Sequence, residues 1–304
     1  MKNGNRFHEV SYQKHSSNYD DYSIGGKKES IAKTWLDRNS VGAWRFERMY
    51  HLLDPLLEAE PHARWLTVGD GRYGGDAQYI LYKGVDVLAT DITDALLKEA
   101  QEMGCLKKFR KENAESLSFG DSEFDFVLCK EAYHHFPRPM MALYEMLRVA
   151  SEGVVLIEPT DLYVTRSIAT ATFRKLLNIV KTLLGKSSQT NFFEEVGNYV
   201  YTISRREIEK VAMGLNYKVV AFHGVNDYYL KGCEFENISE NGINYRKIRF
   251  MIALLNILTK LKLVDYSLTA VIIFKRTPSE KLMDVLRKGG YEVVRLPTNP
   301  YAAA

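Results

Sequence analysis

WLTVGDGRYGGDA, residues 65–77, sets four glycines (Gly69, Gly71, Gly74 and Gly75) directly behind an apolar run, Trp65 to Val68, that reads as a buried strand. Glycine reaches positive φ without a Cβ clash, which a tight strand-to-helix turn needs. It also lets a ligand lie against the backbone, as a nucleotide-like cofactor does over a helix N-terminus. The turn alone suits both readings, so the residues around it must separate them.

Outward from this turn, residues 64–158 alternate strand and helix. RWLTV, VDVLATDI, KFRKENA, FDFVLCKEA and GVVLIEP read as strands. Between them lie GDAQYILYKG, then TDALLKEAQEMG with a Thr93 or Asp94 cap, then PRPMMALYEMLRVA opening at Pro139. That alternation predicts a parallel sheet covered on both faces and joined by right-handed crossovers. Later come a helix in TATFRKLLNIVKTLL, a polar loop GKSSQTN, and a helix from Ser204 with Glu207 completing a capping box. The strand YKVVAFHGV, the amphipathic helix 244–263, the core strand SLTAVIIFKRT, a small helix and a strand YEVVRL follow. Ahead of the sheet, residues 41–59 carry apolar residues at helical spacing, interrupted at Pro55. Residues 1–30 are polar and read as a loosely held arm or a segment covering a cofactor.

In an open parallel sheet, ligands bind beyond the carboxyl ends of the strands. Four such ends carry chemistry. The first is the glycine turn with Gly69, Asp70 and Gly71. The second is Asp91, followed by Ile92. It lies where an acidic acceptor would clamp ribose hydroxyls, although a helix-capping role also fits. The third is ENAESLSF, in which Asn113 suits an adenine edge or an Asx turn and Ala114 leaves room for a flat ring. The fourth is CKEAYHHF, with adjacent His134 and His135.

Taken together, residues 64–159 resemble the class I S-adenosylmethionine-dependent methyltransferases, particularly the type 11 branch. The matching motifs are TVGDGRYGG, ATDIT, NAESLSF and FDFVLCKEAYHHF, in the family's order. The resemblance implies a doubly wound, Rossmann-like, mostly parallel α/β sheet with an antiparallel last strand. This chain adds an N-terminal helical extension and a C-terminal helical insertion. It implies S-adenosyl-L-methionine as cofactor, held by Gly69, Asp70, Gly71, Asp91, Ile92, Asn113, Ala114 and Glu115, with Lys130 and Glu131 at the boundary with the acceptor. Two departures stand out. Thr67 replaces the acidic residue that the family carries two positions before its first glycine, and Tyr73 replaces the third glycine. Asp70 and Glu131 are the candidates to meet the cofactor ammonium instead. The rival, NAD, gives the NAE and double-histidine motifs no role.

Methyl transfer to a hydroxyl needs a base, and histidine titrates near neutral pH. Of the pair, His135 is favoured over His134, while Glu158 at the next strand end would orient a histidine or hold the acceptor. The expected activity is methylation of a small hydroxylated acceptor, sugar- or polyol-like. An amine acceptor methylated by positioning alone is one alternative, and a non-catalytic assembly subunit on the same fold is another. The expected boundaries are 1–60 for the arm and helical cap, 61–277 for the core with acceptor-site insertions at 161–203 and 225–265, and 278–304 for an extension. Aromatic residues crowd the arm and insertions, Tyr19, Tyr163, Phe193 and Tyr229 among them.

Bulk properties narrow the field. Forty-one Lys+Arg against 38 Asp+Glu leave a net charge of only +3, so no nucleic-acid partner is expected. Three dispersed cysteines make neither a disulfide framework nor a CxxC site, and no metal-site spacing is visible. No stretch is apolar enough to span a membrane, and the polar start lacks a signal-peptide core, which points to the cytoplasm. Homo-oligomerisation is left open.

Overall fold

In the computed structural model the described residues are 7–165, 167–183, 185, 192–194 and 198–301. Most of the GKSSQTN loop, the first six residues of the arm and the terminal alanines lie outside them. Ahead of the sheet come α1 (Phe7–Asp20), α2 (Glu29–Thr34), α3 (Val41–Tyr50) and α4 (Asp54–Ala59). The 41–59 pattern is thus two helices, and Pro55 sits in the first turn of α4, where its missing N–H costs nothing. The core runs β1 (Trp65–Val68), α5 (Gly75–Tyr82), β2 (Val87–Asp91), α6 (Ala95–Glu102), β3 (Phe109–Lys111), β4 (Phe124–Lys130), α7 (Pro139–Val149) and β5 (Ala150–Pro159). Then follow α8 (Ile168–Leu183), α9 (Arg205–Gly214), β6 (Val219–Val225), α10 (Ile243–Lys260), β7 (Leu268–Phe274), α11 (Glu280–Lys288) and β8 (Glu292–Arg295).

The strands form one sheet in the order β3-β2-β1-β4-β5-β7-β6-β8. The pairings from β3 to β5 are parallel, while β7 is antiparallel to both β5 and β6. β8 pairs antiparallel with β6, so the C-terminal segment completes the sheet edge. This is the Rossmann-like sheet that the motif order implies.

Alternation along the strands divides the core in two, because successive side chains point to opposite faces. In β5, Val155 and Ile157 pack with α4, α5, α6 and α11 on one face; Val154 and Leu156 pack with α7 and α9 on the other. Both faces are dry, which is why these strands read as continuous apolar runs. A small separate cluster of Val41, Cys233, Ile248 and Ile252 anchors α10. Local signals act as expected at α9, where Ser204 Oγ accepts the Glu207 N–H at 3.2 Å. They do not at α6. Asp94 holds the N-cap position without a side-chain bond, and Asp91 Oδ1 instead accepts the Thr93 N–H at 3.0 Å.

Candidate active site

The carboxyl ends of β1 to β5 and the loops leaving them converge at one edge of the sheet. Gly69 leaves β1 at φ +77°, and a Cβ there would stand 2.4 Å from Ala132 Cβ in the loop after β4. At Gly71 a Cβ would stand 2.8 Å from the Tyr19 ring and 2.9 Å from the Asp91 carboxylate. The turn therefore has no room for side chains at these two positions. Tyr73, in place of the family's third glycine, adopts φ +56° and buries its ring, its hydroxyl donating to Glu99 Oε2 at 3.3 Å. A bulky residue in this region is uncommon and stores strain in the turn.

Above the turn lies a cavity bordered by the loops that leave β1, β2, β3 and β4. Of the sequence-derived residues, Gly69, Asp91, Ile92, Asn113, Ala114, Glu115, Glu131 and His135 line it. Asp91 is buried, and burial pushes its carboxyl up to about 6 against the Thr93 and Gly71 donors that favour the charged form. Asn113 Oδ1 accepts the Glu115 N–H at 2.9 Å, the Asx turn foreseen as its simpler role. Glu115 holds Arg138, accepting from its backbone N–H at 2.7 Å and from Nε at 2.5 Å.

Two expected cofactor residues point elsewhere. Asp70 is spent on the N-terminus of α5, accepting the Asp76 and Ala77 N–H groups at 3.1 and 2.9 Å and the Thr67 hydroxyl at 2.9 Å. Burial, and then the Asp76 charge, raise its carboxyl well above the usual range. Lys130 is the last residue of β4 and projects to the opposite face of the sheet. There Nζ lies 3.1 Å from Asp76 Oδ1 and over the Phe46 and Tyr50 rings. Gly71 lies under Asp91 and Tyr19 rather than on the cavity wall.

Glu131 is placed differently from both. It follows β4 at φ +52°, and its Oε1 is buried with no hydrogen-bond partner among the described residues. Burial raises its carboxyl, with the His134 charge opposing. An unpartnered buried carboxylate oxygen is costly unless a ligand satisfies it.

The two histidines diverge. His135 lines the cavity, with Nδ1 2.5 Å from Glu194 Oε1 in a contact off the hydrogen-bond direction. His134 lies behind it, the ring centroids 3.9 Å apart, and is buried. Its Nδ1 lies 2.6 Å from Glu158 Oε2, while Glu158 Oε1 accepts the Ala132 and Tyr133 N–H groups, both at 2.9 Å. Burial pulls the imidazole down, but the Glu158 carboxylate outweighs it and the net shift is upward. Glu131, His134 and Glu158 each bring a ligand-type atom within 4.8 Å of the others, a grouping invisible in the sequence spacing. Glu158 has committed both oxygens, so a cation would have to displace bonds that hold the loop.

Of the cavity's roof, the sequence offered residues 1–30 as an arm or a covering segment and named Tyr19, but not Tyr12 or His15. Tyr12, His15 and Tyr19 of α1 lie across the cavity. The helix is tied down by Tyr12 to Glu115, by Ser11 Oγ to Asn198 Oδ1 at 2.6 Å, and by Asn198 Nδ2 to His15 Nε2 at 2.7 Å. The arm is thus a helix covering the site. The signal was present: His8, Tyr12, His15 and Tyr19 fall on one face at helical spacing. Glu194 had no comparable signal.

Residues 66–157 match the family model described as a methyltransferase domain. Among curated proteins none matches the sequence. Similar solved structures include an S-adenosylmethionine-dependent methyltransferase of Methanosarcina mazei, at 17% identity and TM-score 0.46, covering 74% of this chain and 98% of that one. The YcgJ protein of Bacillus subtilis aligns at 19% identity and TM-score 0.44, covering 75% and 99%. Magnesium protoporphyrin IX methyltransferase of Synechocystis PCC 6803, solved with bound S-adenosylhomocysteine, aligns at 14% identity and TM-score 0.42, covering 78% and 95%.

Proposed function

We propose, on the premise that residues 66–157 form an S-adenosylmethionine-dependent methyltransferase domain, that this chain methylates a small hydroxylated acceptor of sugar or polyol type. The bound cofactor supplies an electrophilic methyl group on a sulfonium. Asp91, ionised, accepts the ribose hydroxyls, the strong form of that hydrogen bond. Gly69 and the small Ala114, both on the cavity wall, would let the cofactor lie against the strand ends. Glu131 accepts the ammonium, the task that Asp70 cannot perform while it caps α5.

His135 removes the acceptor's hydroxyl proton through the ring nitrogen that faces away from Glu194, whose carboxylate lies beside Nδ1. His134 and Glu158 position it by fixing the loop from Ala132 to His135. Helix α1 excludes water and keeps the reacting groups aligned.

The observation that carries this reading is the buried, unpartnered Glu131 Oε1 in a cavity that also holds Asp91. Calorimetric titration with S-adenosylhomocysteine tests it. Wild-type protein should bind, with NAD giving no heat. Glu131→Gln should weaken binding by roughly tenfold or more, the weight of a charged hydrogen bond. Wild-type affinity in the variant would remove Glu131 from the cofactor site, and tight NAD binding would overturn the cofactor itself. With the cofactor established, hydroxylated acceptors are screened against His135→Asn.

A further inference from the structure

Helix α8 turns its polar side inward. Its one buried residue is Thr170, 4% exposed, whose hydroxyl donates to the Lys262 carbonyl at 2.7 Å. Ile168, Leu176, Ile179 and Leu183 recur at helical spacing on the outer side, Ile168 being 85% and Leu183 81% exposed. A surface helix ordinarily does the reverse, since burying its apolar stripe is what holds it in place.

Beside it, α10 carries two apolar faces. Ile248 and Ile252 anchor it to the body of the protein. Ile243, Phe250, Leu254, Ile257 and Leu261 form a second stripe that faces solvent, with Phe250 67% and Leu261 61% exposed. By helical geometry Arg246 and Lys260 fall on one flank of that stripe and Lys247 on the other.

Charge says what covers these faces. The two helices hold seven cations (Arg174, Lys175, Lys181, Arg246, Lys247, Arg249 and Lys260) and no carboxylate. The whole chain is only +3, so the rest of the molecule is net negative and the positive charge is concentrated around the exposed stripes. A second copy of the chain packed symmetrically on this surface would set cations against cations. A nucleic acid would leave the aliphatic stripes uncovered. An apolar stripe bordered by Lys and Arg matches an interface of acyl chains beneath anionic headgroups.

We infer that α8 and α10 form a surface by which the protein docks on an anionic lipid bilayer, lying in its interface. No helix among the described residues is long and apolar enough to cross a membrane, so the contact is peripheral. Helix α8 is the first helix after β5, whose carboxyl end carries Glu158 of the candidate active site. The docking itself does not depend on the proposed reaction.

The test is sedimentation of the full chain with vesicles, either of phosphatidylcholine alone or with roughly one-third phosphatidylglycerol, at about 0.1 M salt, where charges act over about 10 Å. The expected result is binding to the anionic vesicles alone, lost at high salt. Phe250→Asp with Ile257→Asp should weaken it at least about tenfold, and so should Leu176→Asp with Ile179→Asp, since each removes apolar burial and adds repulsion. These residues are exposed, so circular dichroism should match wild type. Equal binding to both vesicle types, no binding to either, or wild-type binding in both variants overturns the inference. A dimer that these variants dissociate, in place of vesicle binding, assigns the surface to a second copy.

Discussion

Asp91→Asn separates the cost of the site from its use. Asp91 is buried and its carboxyl is pushed up to about 6, against an ordinary value of 3.8. A carboxyl whose folded value is raised destabilises the native state above that value, and the penalty fades as pH falls through 6 towards 3.8. A shift of about two units corresponds to about 3 kcal/mol at neutral pH. Asparagine removes that penalty and keeps the oxygen that accepts from Thr93, but sets an N–H against the Gly71 donor, costing about 1–2 kcal/mol. The apo variant should therefore gain on the order of 1 kcal/mol at pH 7.5, seen as a rise of about 2 °C in thermal midpoint. At pH 4.5 the gain should vanish. Its affinity for S-adenosylhomocysteine should fall by about tenfold or more, because the charged acceptor proposed for the ribose diol is gone. In wild-type protein the same affinity should drop about tenfold between pH 7 and pH 5, as Asp91 takes up its proton. Calorimetric titration and scanning calorimetry read both arms. Wild-type affinity in the variant, or a stability loss at pH 7.5 together with pH-independent cofactor binding in wild type, would refute the reasoning.

Two further outcomes follow from the site. The raised His134 value makes its ion pair with Glu158 stabilising below pH 6.5, an effect lost as pH rises through the folded value. Glu158→Gln should therefore cost about 2 kcal/mol or more in urea unfolding at pH 6 and distinctly less at pH 9; equal losses would show that the charge on His134 contributes nothing. Gly69→Ala puts a methyl at positive φ and 2.4 Å from Ala132 Cβ, so it should cost about 2 kcal/mol or more and weaken S-adenosylhomocysteine binding. Unchanged affinity would mean that the turn does not form the cofactor floor.

The strand-end wall and the roof of the candidate site were legible to different degrees. Gly69, Asp91, Ala114 and the double histidine could be placed at strand ends because each sits at a fixed offset from an apolar run. Asp70 and Lys130 carry the same local signals, yet turn away. Asp70 is drawn off by the open N–H groups of α5, and Lys130 by strand alternation, which sends it to Asp76 while Glu131 turns to the cavity. Lys130 still follows the strand's alternation, whereas Glu131 has left β4 at φ +52°, a turn that no local pattern announces.

By itself the sequence determined the succession of strands and helices and the parallel core. Those follow from short-range periodicity, caps and turns that a few neighbouring residues specify. Only the tertiary structure decided which acids face the cavity, that α1 roofs it through Asn198 and Glu115, that β8 closes the sheet edge, and that α8 shows its apolar side to solvent. Each of these depends on partners distant in the chain. Their contacts form only when the core has set the elements side by side, so no local pattern of residues can encode them alone.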